Sequence, residues 1–184
     1  MTAFYFAFLA VILAGLGARD QGTVAALSQS QGPRPGTLLT GISVSIGTAA
    51  FAAWAGSFVV PLLDDKARLV MVVIALLLAA LESVWPFTSR RPEEPTSSLG
   101  ALGIVLVAHQ MTDAARFIVF ALTVATNAPI AAGIGGAAGG AASLAVAWML
   151  PEVFAAPRVR LSRRVCGAML LLIALPVAFQ ALTR

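Results

Sequence analysis

The chain has 184 residues, 59% of them hydrophobic and 11% charged, with a mean hydropathy of +0.92. A soluble domain carries about a quarter charged residues, because water demands a polar surface. This composition excludes an ordinary soluble globule and points to a chain solvated by lipid.

The net charge is +4 and the isoelectric point is near 10.6. The arginines are scattered between apolar runs, without a basic stripe interleaved with aromatics, so no nucleic-acid partner is expected. The single cysteine, Cys166, lies in an apolar run. It has no disulfide partner and reads as a small packing residue. The N-terminal stretch MTAFYFAFLAVILAG lacks a basic start, so a cleaved signal peptide is not expected.

Six apolar segments follow one another. The first runs from about Ala3 to Leu27 and is interrupted by Arg19-Asp20-Gln21. The second covers about Leu38 to Leu63 and the third about Leu69 to Trp85. The fourth runs from about Leu99 to Ala125 and contains His109, Asp113 and Arg116. The fifth covers about Pro129 to Leu150 and the sixth about Val165 to Leu182. At about 1.5 Å per residue, a helix of each length crosses a hydrocarbon core of ~30 Å. Helices are expected throughout, because an open strand leaves backbone groups unpaired in lipid and no alternating barrel pattern occurs. The expected fold is therefore all-α, a polytopic membrane protein with six transmembrane helices.

A polar linker, TSRRPEEPTSS, divides the chain into residues 1–95 and 96–184. A shift of 95 residues, the separation of Gly15 from Gln110, lays the halves on one another. Gly15-Leu16-Gly17-Ala18-Arg19-Asp20-Gln21 falls on Gln110-Met111-Thr112-Asp113-Ala114-Ala115-Arg116, and Gly41 falls on Gly136. Three spans per half is odd, so the halves would insert in opposite orientations. That is the plan of two inverted three-helix repeats, with a substrate site at the midplane between them. One side of such a bundle holds Arg34, Arg90, Arg91, Arg158, Arg160, Arg163 and Arg164, and the other Lys66, Arg68 and Arg184. The positive-inside rule then places the first side in the cytoplasm and both termini outside. A bacterial inner membrane is the expected location.

Ionisable groups within a span are costly, so they face a cavity or a partner. Here they cluster at matching places in segments one and four. His109 and Arg116 lie four residues before and three after Asp113, a spacing that puts all three on one face of a continuous helix. Gln110 and Thr112 add hydrogen-bonding groups. In the first half Arg19, Asp20 and Gln21 are flanked by Gly15, Gly17 and Gly22, which suggests a bent or unwound helix. Each feature has a structural reading beside the functional one. Asp113 with Arg116 is either a buried ion pair or part of a transport site. Arg19 and Asp20 are either deep or near the membrane surface. His109 is either a packing residue or a proton carrier. Glu82, near Trp85 and Pro86, reads as interfacial. The glycines 133, 135, 136, 139 and 140 read as close helix packing. No nucleophile triad, HExxH motif or paired carboxylates occur, so neither an enzyme nor a bound cofactor is expected.

FLAVILAGLGARDQGTVAAL and VLVAHQMTDAARFIVFAL occupy the places, in the two halves, of a motif Glu-x-Gly-Asp-Lys/Arg-Thr/Ser followed by Gln. The chain therefore resembles the calcium/manganese–proton exchangers of bacterial, chloroplast and Golgi membranes, within the wider lysine-exporter-like superfamily. Gly17, Arg19 and Gln21 match the glycine, the basic residue and the Gln of the first motif, and Asp113 matches the acidic position of the second. Gly15, Ala18 and Gln110 stand where the other carboxylates belong, and Asp20 is shifted by two places from its own. The resemblance implies a secondary transporter, a Ca2+/Mn2+–proton antiporter with an eroded motif. It also implies weak metal contacts from Asp113 and Asp20. The residues leave open an exporter of a small organic or anionic solute, with Arg19 and Arg116 as contacts, and a non-transporting membrane scaffold. The expected partners are the lipid bilayer, the transported ion or solute and protons; a homo-oligomer is compatible with the sequence.

Overall fold

A computed structural model describes residues 1–85, 98–155 and 157–183. Among them there are nine α-helices and no strand: α1 (Thr2–Gly15), α2 (Arg19–Gln31), α3 (Pro35–Val59), α4 (Asp65–Val84), α5 (Leu99–Met111), α6 (Ala114–Thr126), α7 (Pro129–Met149), α8 (Pro151–Ala155) and α9 (Pro157–Thr183). A single 3-10 turn, Val60–Leu62, follows α3. Most of the TSRRPEEPTSS linker, with Arg90 and Arg91, lies outside the described residues, as does Arg184.

Local signals set the helix starts. Proline opens α3 and α7, where its missing N–H is not needed. Asp64 and Ser98 accept from the first-turn amides of Ala67 and Ala101, capping α4 and α5. Asn127, at φ 51°, ends α6 in the left-handed conformation.

Four helices are long and apolar enough to cross a membrane: Pro35–Leu62, Asp65–Val84, Pro129–Met149 and Leu161–Thr183. The pairs α1–α2 and α5–α6 reach that length only together, and each is bent sharply at its break, by 62° and 54°. The number of spans is thus four, or up to six if each bent pair is one span. The first break falls at Leu16–Ala18, before the Arg19-Asp20-Gln21 tripeptide, and that tripeptide is helical. The second falls at Thr112–Asp113, where the sequence suggested an unbroken helix. The N-caps Ala18 and Asp113 are themselves related by the 95-residue shift.

The polarity of the molecule is reversed from that of a soluble protein. Trp54, Phe58, Ile104, Leu172 and Phe179 are exposed, while Asp20, Gln21, Glu82, Gln110, Asp113, Arg116 and Arg163 are buried. Lipid removes the cost of the first set, and the second forms a buried polar interior. Segments one and four touch: α1 packs against α6, and α2 against α5.

The glycines of α7 provide close packing, as expected. A Cβ on Gly139 would come within 2.7 Å of the Phe8 carbonyl oxygen on α1. One on Gly133 would lie 3.1 Å from Ala53 on α3, and one on Gly136 would strike Val119 on α6. Small residues here let three helices close on α7 at once. Around them four small apolar clusters form the core; the largest side chains, Leu102, Leu106 and Leu144, gather with Val24 and Leu27.

Candidate functional site

The site is assembled from the two helix breaks and four neighbouring helices, α3, α4, α7 and α9. At the first break Gly17 takes φ +75°, a conformation that L side chains rarely adopt. A Cβ there would also come within 2.7 Å of Val159, so the chain can turn at this point only as glycine. The loose ends are then satisfied by side chains. Gly17 N–H donates to Gln21 Oε1 at 3.0 Å, and Arg163 Nη1 donates to the Gly17 carbonyl at 2.7 Å.

The second break is closed in a different way. Asp113 occupies the N-cap of α6, yet its side chain makes no capping bond. Glu82 Oε2, from α4, accepts from the first helical amide, Ala114 N, at 3.2 Å. The Asp113 carboxylate is buried, and its Oδ1 makes no hydrogen bond among the described residues.

Side chains join the breaks to one another. Arg19 Nη2 donates to Thr112 Oγ1 at 2.8 Å, and Gln110 Nε2 donates to Asp20 Oδ2 at 2.9 Å. Asp20 Oδ1 accepts from the Gln21 amide at 2.7 Å, so both of its oxygens are engaged. Arg116 donates through Nε to Thr48 Oγ1 at 2.7 Å, and through Nη2 to Ser45 Oγ at 3.1 Å and Gln110 Oε1 at 2.8 Å. Its Nη1 is buried without a partner among the described residues. Asp20, Gln21, Asp113, Arg116, Gly140 and Ser143 border a small internal space, with about 10 Å³ open to a water-sized particle.

A four-membered ion-pair chain completes the centre. Arg163 Nη2 binds Glu82 Oε1 directly, with both side chains 8% exposed, and lies 3.6 Å from Asp113 Oδ1. Arg19 Nη2 approaches the same Glu82 oxygen at 3.7 Å. The pairing of Asp113 is therefore with Arg163 rather than with Arg116, whose bonds go to hydroxyls and an amide. The break also separates His109, on α5, from Asp113 and Arg116, so these three do not share one continuous helical face. His109 stands half-buried, near Arg19 and Asp20.

Of the residues singled out by sequence, Asp20, Gln21, Gln110, Asp113 and Arg116 meet in the buried centre. Arg19 is partly exposed, its side chain at 26%, and Thr112 is exposed at the edge. Sequence reasoning missed Glu82, which points into the bundle, and Arg163, counted there as a loop charge but 94% shielded within α9. It also missed Ser45, Thr48 and Ser143. Glu82 carried a signal in being the one acid in the apolar run of segment three; Arg163 carried another, lying 95 residues beyond Arg68.

The centre is a poor fit for a bare divalent cation as cargo. Such a cation wants several oxygen ligands, commonly carboxylates whose charge it offsets. Here Asp20 is engaged by amides, Asp113 and Glu82 face Arg163, and Arg116 adds a further positive charge. No group of three or more His, Cys, Asp or Glu side chains that could hold a metal exists among the described residues. The chain matches no protein-family model, no curated protein and no solved structure.

Proposed function

We propose that the chain is a secondary transporter of the inverted-repeat type, with α1–α2, α3 and α4 forming one three-span repeat and α5–α6, α7 and α9 the other. The observation that carries this reading is the pair of broken helices, with N-caps Ala18 and Asp113 at equivalent places, meeting at a buried charged centre. Discontinuous helices are how membrane proteins bring backbone and charged groups to a midplane site. Two bent elements also offer hinges for alternating access, in which the centre opens first to one side and then to the other. In this reading both termini are outside, the loops at Arg34 and Arg158 are cytoplasmic, and the membrane is a bacterial inner membrane.

The unmatched atoms speak against a mere scaffold. A structural ion-pair network is stable when every buried polar atom is satisfied. Here Arg116 Nη1, Asp113 Oδ1 and Ser143 Oγ are buried around one space without hydrogen bonds among the described residues. Arg19 and Arg163 occupy the acids Glu82 and Asp113, and Arg116 Nη1, without a hydrogen bond among the described residues, favours a small organic or anionic solute over calcium or manganese. The resemblance to the cation–proton exchangers then concerns the architecture and the use of Asp113 as the proton-coupled group.

The test is a flux screen on purified protein in proteoliposomes, with calcium, manganese, amino acids and small anions offered under a pH gradient. Movement of any one above protein-free vesicles supports transport. No movement of any of them, with protein correctly inserted, removes the reading in favour of the scaffold.

A further inference from the structure

The charge balance of the centre, together with the transporter reading on which this rests, points to the class of cargo and its coupling. Six ionisable side chains gather at the centre, Arg19 at its partly exposed edge: Arg19, Arg116 and Arg163 against Asp20, Glu82 and Asp113. They are linked through Glu82 to Arg19 and Arg163, through Arg163 to Asp113, and through Gln110 from Asp20 to Arg116. The three basic and three acidic groups match in number. A low-dielectric interior strongly resists departure from that balance.

Among the described residues, two of the six border the internal space with a buried atom that makes no hydrogen bond. These are Asp113 Oδ1, which lies 3.6 Å from Arg163 Nη2, and Arg116 Nη1; Ser143 Oγ beside them likewise makes no hydrogen bond among the described residues. All three residues are more than nine-tenths buried. The opening of about 10 Å³ is close to the room one water-sized particle needs. Now consider what each candidate does to the balance. A divalent cation leaves two uncompensated positive charges. A proton taken by the Asp113 carboxylate leaves one, and turns Oδ1 from an acceptor into a donor. A single monovalent anion then restores neutrality, received by Arg116 Nη1, the Ser143 hydroxyl and the new Asp113 O–H. Neither the proton nor the anion is balanced without the other.

We propose that the centre takes up one proton on Asp113 together with one small monovalent anion on Arg116 and Ser143, and carries both in the same direction in an electroneutral step. The proton comes from water on the open side and is returned to water on the other, leaving the carboxylate ionised and the anion released.

Chloride and nitrate serve as probes, because their acids do not cross lipid unaided at neutral pH. Full-length protein in proteoliposomes with a trapped pH dye is given an inward gradient of each anion. The expected result is acidification of the lumen at a rate that does not change when the membrane potential is clamped with valinomycin and potassium. Asp113→Asn fixes the protonated charge state, so it should exchange labelled chloride for chloride while acidification falls to the protein-free rate. Ser143→Ala, a smaller change that leaves the charges in place, should raise the KM for the anion roughly fivefold, the factor that one neutral hydrogen bond is worth. Acidification that tracks the clamped potential, or that persists in Asp113→Asn, would overturn the proposal. So would an unchanged KM in Ser143→Ala. Movement of calcium, manganese or an amino acid but of neither anion would overturn the proposal while the transporter reading stands. No movement of any probe would remove both.

Discussion

Replacing Glu82 by methionine, close to it in volume, removes the acid that joins the two helix breaks. Arg163 would be left without its direct partner at a site where both side chains are 8% exposed. Breaking a buried ion pair by removing one member costs about 3–5 kcal/mol, because the remaining charge is desolvated and uncompensated. Arg163 keeps the Gly17 carbonyl at 2.7 Å and Asp113 at 3.6 Å, which places the expected loss toward the lower figure. The amide of Ala114 also loses its acceptor, adding ~1 kcal/mol. The contact with Arg19 is longer and that side chain is partly exposed, so it adds well under about 1 kcal/mol. The double variant Glu82→Met/Arg163→Met removes both charges and should be more stable than the sum of the single losses by ~1–3 kcal/mol, the coupling of residues in one network. Equilibrium unfolding in mixed micelles with added SDS, followed by tryptophan fluorescence, measures all four proteins. A loss below about 0.5 kcal/mol in Glu82→Met, typical of a surface site, would refute the buried pair. Strictly additive losses in the double variant would show that Glu82 and Arg163 do not act on each other.

Three further outcomes are expected. Gly139→Ala should destabilise the protein by about 1–3 kcal/mol, since its Cβ would meet the backbone of α1 and force α7 outward, whereas Gly47→Ala, with open space around it, should be neutral or slightly stabilising in the same assay. Gln110→Leu should cost roughly 1.5–3 kcal/mol by severing the link between Arg116 and Asp20, and a fully stable variant would mean that the amide does not bridge them. Cysteines introduced at Arg34 and Arg158, after replacement of Cys166, should be shielded in intact cells from an impermeant thiol reagent; labelling of both from outside would reverse the proposed orientation.

Sequence alone determined that the chain is helical and apolar enough for lipid, because composition and run length are local properties that no tertiary contact can alter. The segment limits of the second, third and fifth runs lie within a few residues of α3 with its 3-10 turn, α4 and α7. The same holds for the packing role of the α7 glycines, since small residues at helical spacing have few other uses in a membrane. The N-caps Ala18 and Asp113 stand at positions related by the 95-residue shift read from the sequence.

Tertiary structure decided the rest. The interruption at Arg19-Asp20-Gln21 marked the first break only approximately, because the turn is made by Gly17 in a left-handed conformation and the polar residues follow it as helix. The second break had no glycine to reveal it. There the first helical amide, Ala114 N–H, goes to Glu82, thirty-two positions away in sequence, and Asp113 makes no side-chain cap. Once that break exists, helical periodicity no longer relates His109 to Arg116, and the partner of Asp113 becomes Arg163, from the far end of the chain. A charge flanking an apolar run reads in one dimension as a loop residue. Whether it faces water or the centre is set by the rotation of its helix against its neighbours, here α9 against α4, and packing alone fixes that rotation.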